Sequence, residues 1–164
     1  MLSTIRFRRI HPAAIIPTYA TPGSVAMDIH IIGERDGPAR NLRIPPKTTV
    51  IARTGLGIAY LSKGRHVELV LRSSTCIKYP GLVLANGQGI IDEDYCGPED
   101  EIFVPLRNTT NYATYELPLG SRIAQLILRS THRAYITELE YEGRLDNGDR
   151  ASRPSRGGLG STGG

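Results

Sequence analysis

The chain has 164 residues, among them 18 glycines and 11 prolines, with 22% charged residues and a formal net charge of +4. That length fits one domain with a real core, and Gly and Pro scattered between short Val/Ile/Leu/Thr/Tyr runs exclude long helices and point to an all-β fold. No stretch is apolar enough for a signal peptide or a membrane span, and Cys76 and Cys96 show neither a CxxC nor a His partner at zinc spacing; a reduced, cytoplasmic chain is expected.

Taken in order, Ile5 to Ile10 alternate apolar and basic, as a half-buried first strand does. An irregular connection through Pro12, Pro17 and Pro22-Gly23 leads to a second run, Val25 to Ile32. There Val25, Met27, Ile29 and Ile31 are expected on one face and Ala26, Asp28 and His30 on the other. Gly33 to Pro38 reads as a turn, Leu42-Arg43-Ile44 as a short strand, and Thr48 to Ala52 as another that ends at Thr54-Gly55. Leu56 to Leu61 continues to a hairpin-type turn at Ser62-Lys63-Gly64. Val67 to Leu71 then runs into Arg72-Ser73-Ser74-Thr75, a guanidinium and hydroxyls at a strand end. Such a set offers a planar fork and short adjustable donors to a phosphate, or else caps the turn over Cys76 to Tyr79.

Gly81 to Leu84 reads as a strand, and Asn86-Gly87 before Gly89-Ile90-Ile91 as a β-hairpin whose free backbone groups can read the polar edge of a base. Ile90 and Ile91 deliver Asp92 to a strand end, followed by Asp94, Tyr95 and Gly97, which are turn and rim types. An acid able to hold a water beside an aromatic able to cover a flat substrate makes this the organising stretch of the chain. Ile102 to Val104, Leu106 to Asn108 and Tyr112 to Leu117 supply further strands. In Gly120 to Leu128 an apolar run carries Arg122 and Gln125, whose polar side chains are expected to share a network or a ligand. Ala134 to Tyr141 alternates as a last strand. Beyond Gly143 the apolar content collapses, so 1–142 reads as the folded domain and 143–164 as a flexible arm that cannot fold alone. The arm ends in Gly157-Gly158-Leu159-Gly160-Ser161-Thr162, whose glycines and hydroxyls can form a nest for an anion. Four arginines (Arg144, Arg150, Arg153, Arg156) lie in that last part, but with 6% aromatics, not interleaved with basic residues, a nucleic-acid platform is not expected.

Together these pieces resemble the trimeric dUTP pyrophosphatase family. Pro22-Gly23-Ser24 leading to Asp28, Arg72-Ser73-Ser74, Asn86 to Gly97, Gly120 to Gln125 and the Gly-rich tail look like its five motifs, in order along the whole chain. The resemblance implies a jelly-roll-like, distorted β-barrel subunit, a homotrimer with active sites at subunit interfaces, and an arm that closes over a neighbour's site. It implies Mg²⁺-dependent hydrolysis of dUTP to dUMP and pyrophosphate, the metal carried by the triphosphate with Asp28 as an outer-shell support. Residue by residue, it implies that Asp92 activates the water that attacks the α-phosphorus and that Tyr95 packs under the deoxyribose. Asn86 and the backbone of Gly89 and Ile91 would read uracil. Arg72, Ser73, Ser74 and Gln125, with Arg122 in support, would hold phosphates, joined from the arm by Ser161, Thr162, Gly160 and either Arg153 or Arg156, with Leu159 as apolar cover.

The chain departs from the family pattern where Arg-Ser-Gly becomes Arg72-Ser73-Ser74-Thr75, a variant that looks like the related dCTP deaminases. Those enzymes carry an essential Glu where this chain has Pro105, and they lack the Asp-x-Asp-Tyr pattern. Leu159 stands where an aromatic usually covers the base, Pro154 where the arm's Arg usually stands, and Pro98-Glu99-Asp100 reads as an insertion. Two other functions are weighed beside dUTP hydrolysis: dCTP deamination, alone or bifunctional, and a non-catalytic nucleotide-sensing module of the same fold.

Overall fold

The computed structural model describes residues 3–37 and 41–138. Eleven strands and one helical turn follow in order: β1 (Ile5–Arg9), β2 (Ala26–His30), β3 (Gly33–Glu34), β4 (Leu42–Ile44), β5 (Thr49–Leu61), β6 (Arg65–Leu71), α1 (Thr75–Lys78), β7 (Leu82–Leu84), β8 (Gly89–Ile91), β9 (Glu101–Asn108), β10 (Tyr115–Leu117) and β11 (Arg122–Ser130). Every pairing between them is antiparallel. One sheet runs β1-β5-β9-β7 with β3 added to β5, a second runs β2-β11-β6-β8, and β10 and β4 form a two-stranded ribbon. Val50, Ala52, Val104 and Leu106 of the first sheet and Met27, Ile29, Val67, Leu69 and Leu126 of the second share one buried core. This is the all-β, jelly-roll-like subunit expected.

The strand β5 shows how the chain serves two partners. Its first half pairs with β9 and its second with β1, and the register shifts between Arg53 and Gly57. Gly55 sits in that irregularity with φ +66, where a Cβ would lie 2.7 Å from the Ile32 side chain and 2.8 Å from that of His11. Only glycine tolerates both the backbone and the crowding. The two runs expected on either side of Thr54-Gly55 are therefore one strand with a bulge.

Four local expectations are corrected. Ser62-Lys63-Gly64 is a turn but not a hairpin, because β5 and β6 belong to different sheets. Asn86-Gly87 likewise turns the chain, with Gly87 N–H donating to the Leu84 carbonyl at 3.1 Å, yet β7 pairs with β9 and β8 with β6. Val25 precedes β2 and is 75% exposed, while Met27, Ile29 and Ile31 are buried as expected. The final strand does not form over 134–138: Tyr135 and Ile136 stand fully exposed, and none of the strands among the described residues includes this run. The rest of that run, 139–141, lies outside the described residues. One compact unit extends to His132.

Candidate active site

The four-stranded sheet has two chemically different faces. Along β6, Val67 and Leu69 are buried, and their partners Ile91 and Gly89 on β8 share that inner face. Gln125 stands opposite both Val70 of β6 and Asp28 of β2, so all three share the outer face. The inner edge thus carries small and apolar groups, and the outer face carries charge.

At the inner edge a pocket of about 300 Å³ opens between the sheets, lined by Asn86, Gly89, Ile91 and Tyr95 together with Phe103 and Pro105 of β9. Gly89 is required by packing, since a Cβ there would come within 2.9 Å of the Leu69 Cβ. Tyr95 is 37% exposed, and its hydroxyl donates to the Glu101 carbonyl at 3.0 Å. Burial first, then the nearby Asp100 and Glu101 carboxylates, push its phenol above the usual range, so it stays a neutral donor. Asp92 directly follows Ile91 and is exposed at the end of β8. Its carbonyl accepts from the Tyr95 N–H at 3.2 Å, which holds acid and ring in one turn.

On the outer face a second pocket of about 270 Å³ is lined by Asp28, Arg72, Ser73 and Gln125 together with Ser24. Arg72 Nε donates to Asp28 Oδ1 at 2.8 Å, and Arg122 reaches the other carboxylate oxygen at 3.5 Å. A terminal Arg72 nitrogen also donates to the Arg122 carbonyl at 3.2 Å, and the Gln125 amide donates to the Leu71 carbonyl at 3.3 Å. Arg122 and Gln125 are exposed and half-buried respectively, so the network expected of them in β11 lies at the surface. Its third basic group, His30, is held below its usual pKa, first by burial and then by Arg122, with Asp28 opposing, and its Nδ1 is buried without a partner.

Ser74 lies apart from Ser73. It opens α1 without a side-chain cap bond and lines an adjoining cavity of about 270 Å³ that shares Arg72 and includes Arg122. The Thr75 hydroxyl is buried and donates to the Ile123 carbonyl at 2.8 Å. The expected arm residues, Arg153, Arg156, Leu159, Gly160, Ser161 and Thr162, lie outside the described residues.

A family model described as dUTPase matches residues 13–163. The chain belongs to the dUTPase family. The deoxyuridine 5'-triphosphate nucleotidohydrolase of Helicobacter pylori strain J99 is 34% identical over 159 residues, covering 97% of this chain and 96% of that protein. Among solved structures, the Streptococcus mutans dUTPase superposes with a TM-score of 0.65 at 26% identity, over 79% of this chain and 98% of that one. A dUTPase variant from phage phi11 of S. aureus, described as coordinating a structural Mg(II) ion, shares the fold with a TM-score of 0.68 at 18% identity, over 85% and 99% of the two chains.

Three lining residues escaped the sequence reading. Arg35 holds its guanidinium 5.2 Å from the centre of the Phe103 ring, and both line the inner pocket. Glu101 lines it too, and its carboxylate is taken by Arg53 and by the Gly55 N–H. Nothing local marks these residues, because Phe103 and Glu101 are placed by the pairing of β5 with β9 and Arg35 by that of β3 with β5.

Proposed function

We propose that the chain hydrolyses dUTP to dUMP and pyrophosphate, in a homotrimer whose active sites are shared between subunits. The observation that carries this reading is the lining of the inner pocket. Asn86, Gly89, Ile91 and Tyr95 come together there with Pro105, and the carboxylate on its wall, Glu101, already accepts from Arg53 and Gly55. Among the described residues the only carboxylate lining this pocket is Glu101, which disfavours proton transfer at a ring amino group, and so deamination, despite Arg72-Ser73-Ser74-Thr75.

In this reading uracil and deoxyribose occupy the inner pocket, with the ring of Tyr95 against the sugar. Asp92 accepts the proton of a water whose oxygen bonds to the α-phosphorus as the bond to the bridging oxygen breaks and pyrophosphate leaves. General-base help of this kind contributes about 10²- to 10⁴-fold. Arg72, Ser73 and Gln125 orient the phosphates and take up their charge, which is most of what phosphoryl transfer asks of a protein. Support for sharing between subunits comes from the faces. The two pockets have no lining residue in common, and Gly89 and Ile91 of one stand on the opposite face of the four-stranded sheet from Asp28 and Gln125 of the other. One nucleotide cannot thread a sheet, so base and phosphates are held by different copies. The body, 1–142, would then be closed by the arm, 143–164, of another copy, bringing Arg153 or Arg156, Leu159, Gly160, Ser161 and Thr162.

Among the described residues no three His, Cys, Asp or Glu side chains gather to cage a metal. The donor set fits Mg²⁺ that arrives on the triphosphate, with Asp28 as the carboxylate facing its water shell. Held there, Mg²⁺ would supply positive charge that offsets that of the phosphates. Among the described residues no helix is long and apolar enough to cross a membrane, and nucleotide chemistry of this kind fits the cytoplasm, without nucleic acid as partner.

Turnover in ¹⁸O-water tests the reaction. Label in dUMP, and loss of turnover in Asp92→Asn, are expected. Label in pyrophosphate would move the attack off the α-phosphorus, and an active Asp92→Asn would remove Asp92 from its role.

A further inference from the structure

The loop between β8 and β9 carries both Asp92 and Tyr95, and its closure depends on few bonds. Asp100 accepts from the Gly97 N–H at 2.7 Å, which folds Pro98-Glu99-Asp100 back on itself. Arg8 of β1 donates to the Gly97 carbonyl at 2.9 Å. Glu93 Oε2 accepts from the Gly64 N–H at 2.6 Å, and the Tyr95 hydroxyl donates to the carbonyl of Glu101, the first residue of β9. Glu101 is only 4% exposed. Its carboxylate accepts from Arg53 Nε at 3.1 Å, from Arg53 Nη2 at 2.7 Å and from the Gly55 N–H at 2.8 Å. The start of β9 is thereby bolted to the bulge of β5, where Gly57 packs so closely that a Cβ would meet the Asp100 carbonyl at 2.8 Å.

We propose that Glu101 is a positioning residue for sugar selection: its carboxylate, gripped by Arg53 and Gly55, fixes the carbonyl to which the Tyr95 hydroxyl is tethered. A tyrosine ring half open to solvent excludes a 2′-hydroxyl only if it cannot swing away. The tether supplies that stiffness across the five residues, 96–100, that separate Tyr95 from the start of β9. This inference rests on the reading that Tyr95 lies against the deoxyribose.

The test is the ratio of kcat/KM for dUTP to that for UTP in the full chain, across Tyr95→Ala, Tyr95→Phe, Glu101→Gln and the double variant Tyr95→Phe/Glu101→Gln, with Tm measured for each. Glu101→Gln keeps an acceptor for Gly55 and is assayed well below its own Tm. Removing one neutral hydrogen bond is worth about 2- to 10-fold, so Tyr95→Phe and Glu101→Gln are each expected to lower the ratio by that amount. The double variant is expected to lower it no further than the larger single effect, since both act through one bond. A Glu101→Gln ratio equal to the parent's, with only Tm reduced, would overturn the proposal and leave Glu101 a stabilising residue. So would additive losses in the double variant. A Tyr95→Ala ratio equal to the parent's would instead overturn the placement of Tyr95 against the sugar.

Discussion

Asp28→Asn sets two electrostatic effects of opposite sign against each other. The carboxylate holds Arg72 at 2.8 Å and Arg122 at 3.5 Å, with the Asp28 and Arg72 side chains 18% and 28% exposed. At an effective dielectric of about 20, charges roughly 4 Å apart attract by about 4 kcal/mol, and the net value of a hydrogen bond to a charged group is about 1.5–3 kcal/mol. Partial exposure places this pair near the bottom of that range, because solvent screens it. Losing the carboxylate lets the Arg72 fork leave its productive orientation, although its bond to the Arg122 carbonyl at 3.2 Å remains. Against this, a negative charge beside a triphosphate site is repulsive, but at a separation of about 8 Å in water-like dielectric that repulsion is only about 0.5 kcal/mol, and salt reduces it further. Orientation wins. KM for dUTP should rise about 5- to 10-fold, pyrophosphate should inhibit correspondingly more weakly, and the Mg²⁺ concentration for half-maximal rate should increase. Steady-state kinetics at fixed free Mg²⁺ read the first two quantities, and a Mg²⁺ titration at saturating dUTP reads the third. A KM lower than the parent's, with tighter pyrophosphate inhibition, would refute the reasoning, since it would mean that Asp28 repels phosphate rather than braces Arg72.

Gly55→Ala should destabilise the fold by about 2 kcal/mol or more in a urea titration, because alanine meets both a left-handed backbone and side chains within 3 Å; an unchanged midpoint would contradict the bulge. His30 should titrate below 6.5 by NMR. Its lowered pKa means that the unfolded chain takes up the proton first. The stability that neutral His30 contributes is therefore present above about pH 6.5 and lost as pH falls from there towards the folded value. His30→Gln should flatten that part of the stability profile, and a slope identical to the parent's would contradict it.

Local pattern was enough to place most strands and one set of faces. In β2, alternation put Met27 and Ile29 inside and Asp28 outside, and the phosphate-type cluster followed from it. Pattern failed wherever the outcome depended on which sheet a strand joins. Asn86-Gly87 has the composition and the positive φ of a tight turn, yet its flanking strands part to different sheets, and no residue between 84 and 89 encodes that choice. Alternation over 134–138 likewise describes a strand only if an edge is present to receive it. The charged side of the site was legible because its residues are neighbours in short motifs. The walls of the inner pocket were not, since Phe103 and Glu101 reach it through the register of β5 on β9 and Arg35 through the pairing of β3 with β5.

The central claim is tested most directly by turnover of the purified protein with dUTP, dCTP, dTTP and UTP, with and without Mg²⁺, recording pyrophosphate and ammonia separately. The account predicts Mg²⁺-dependent pyrophosphate from dUTP, little from the other three, and no ammonia. Ammonia from dCTP would contradict it and put catalysis at the base pocket, while no product from any nucleotide would leave a binding module in place of an enzyme.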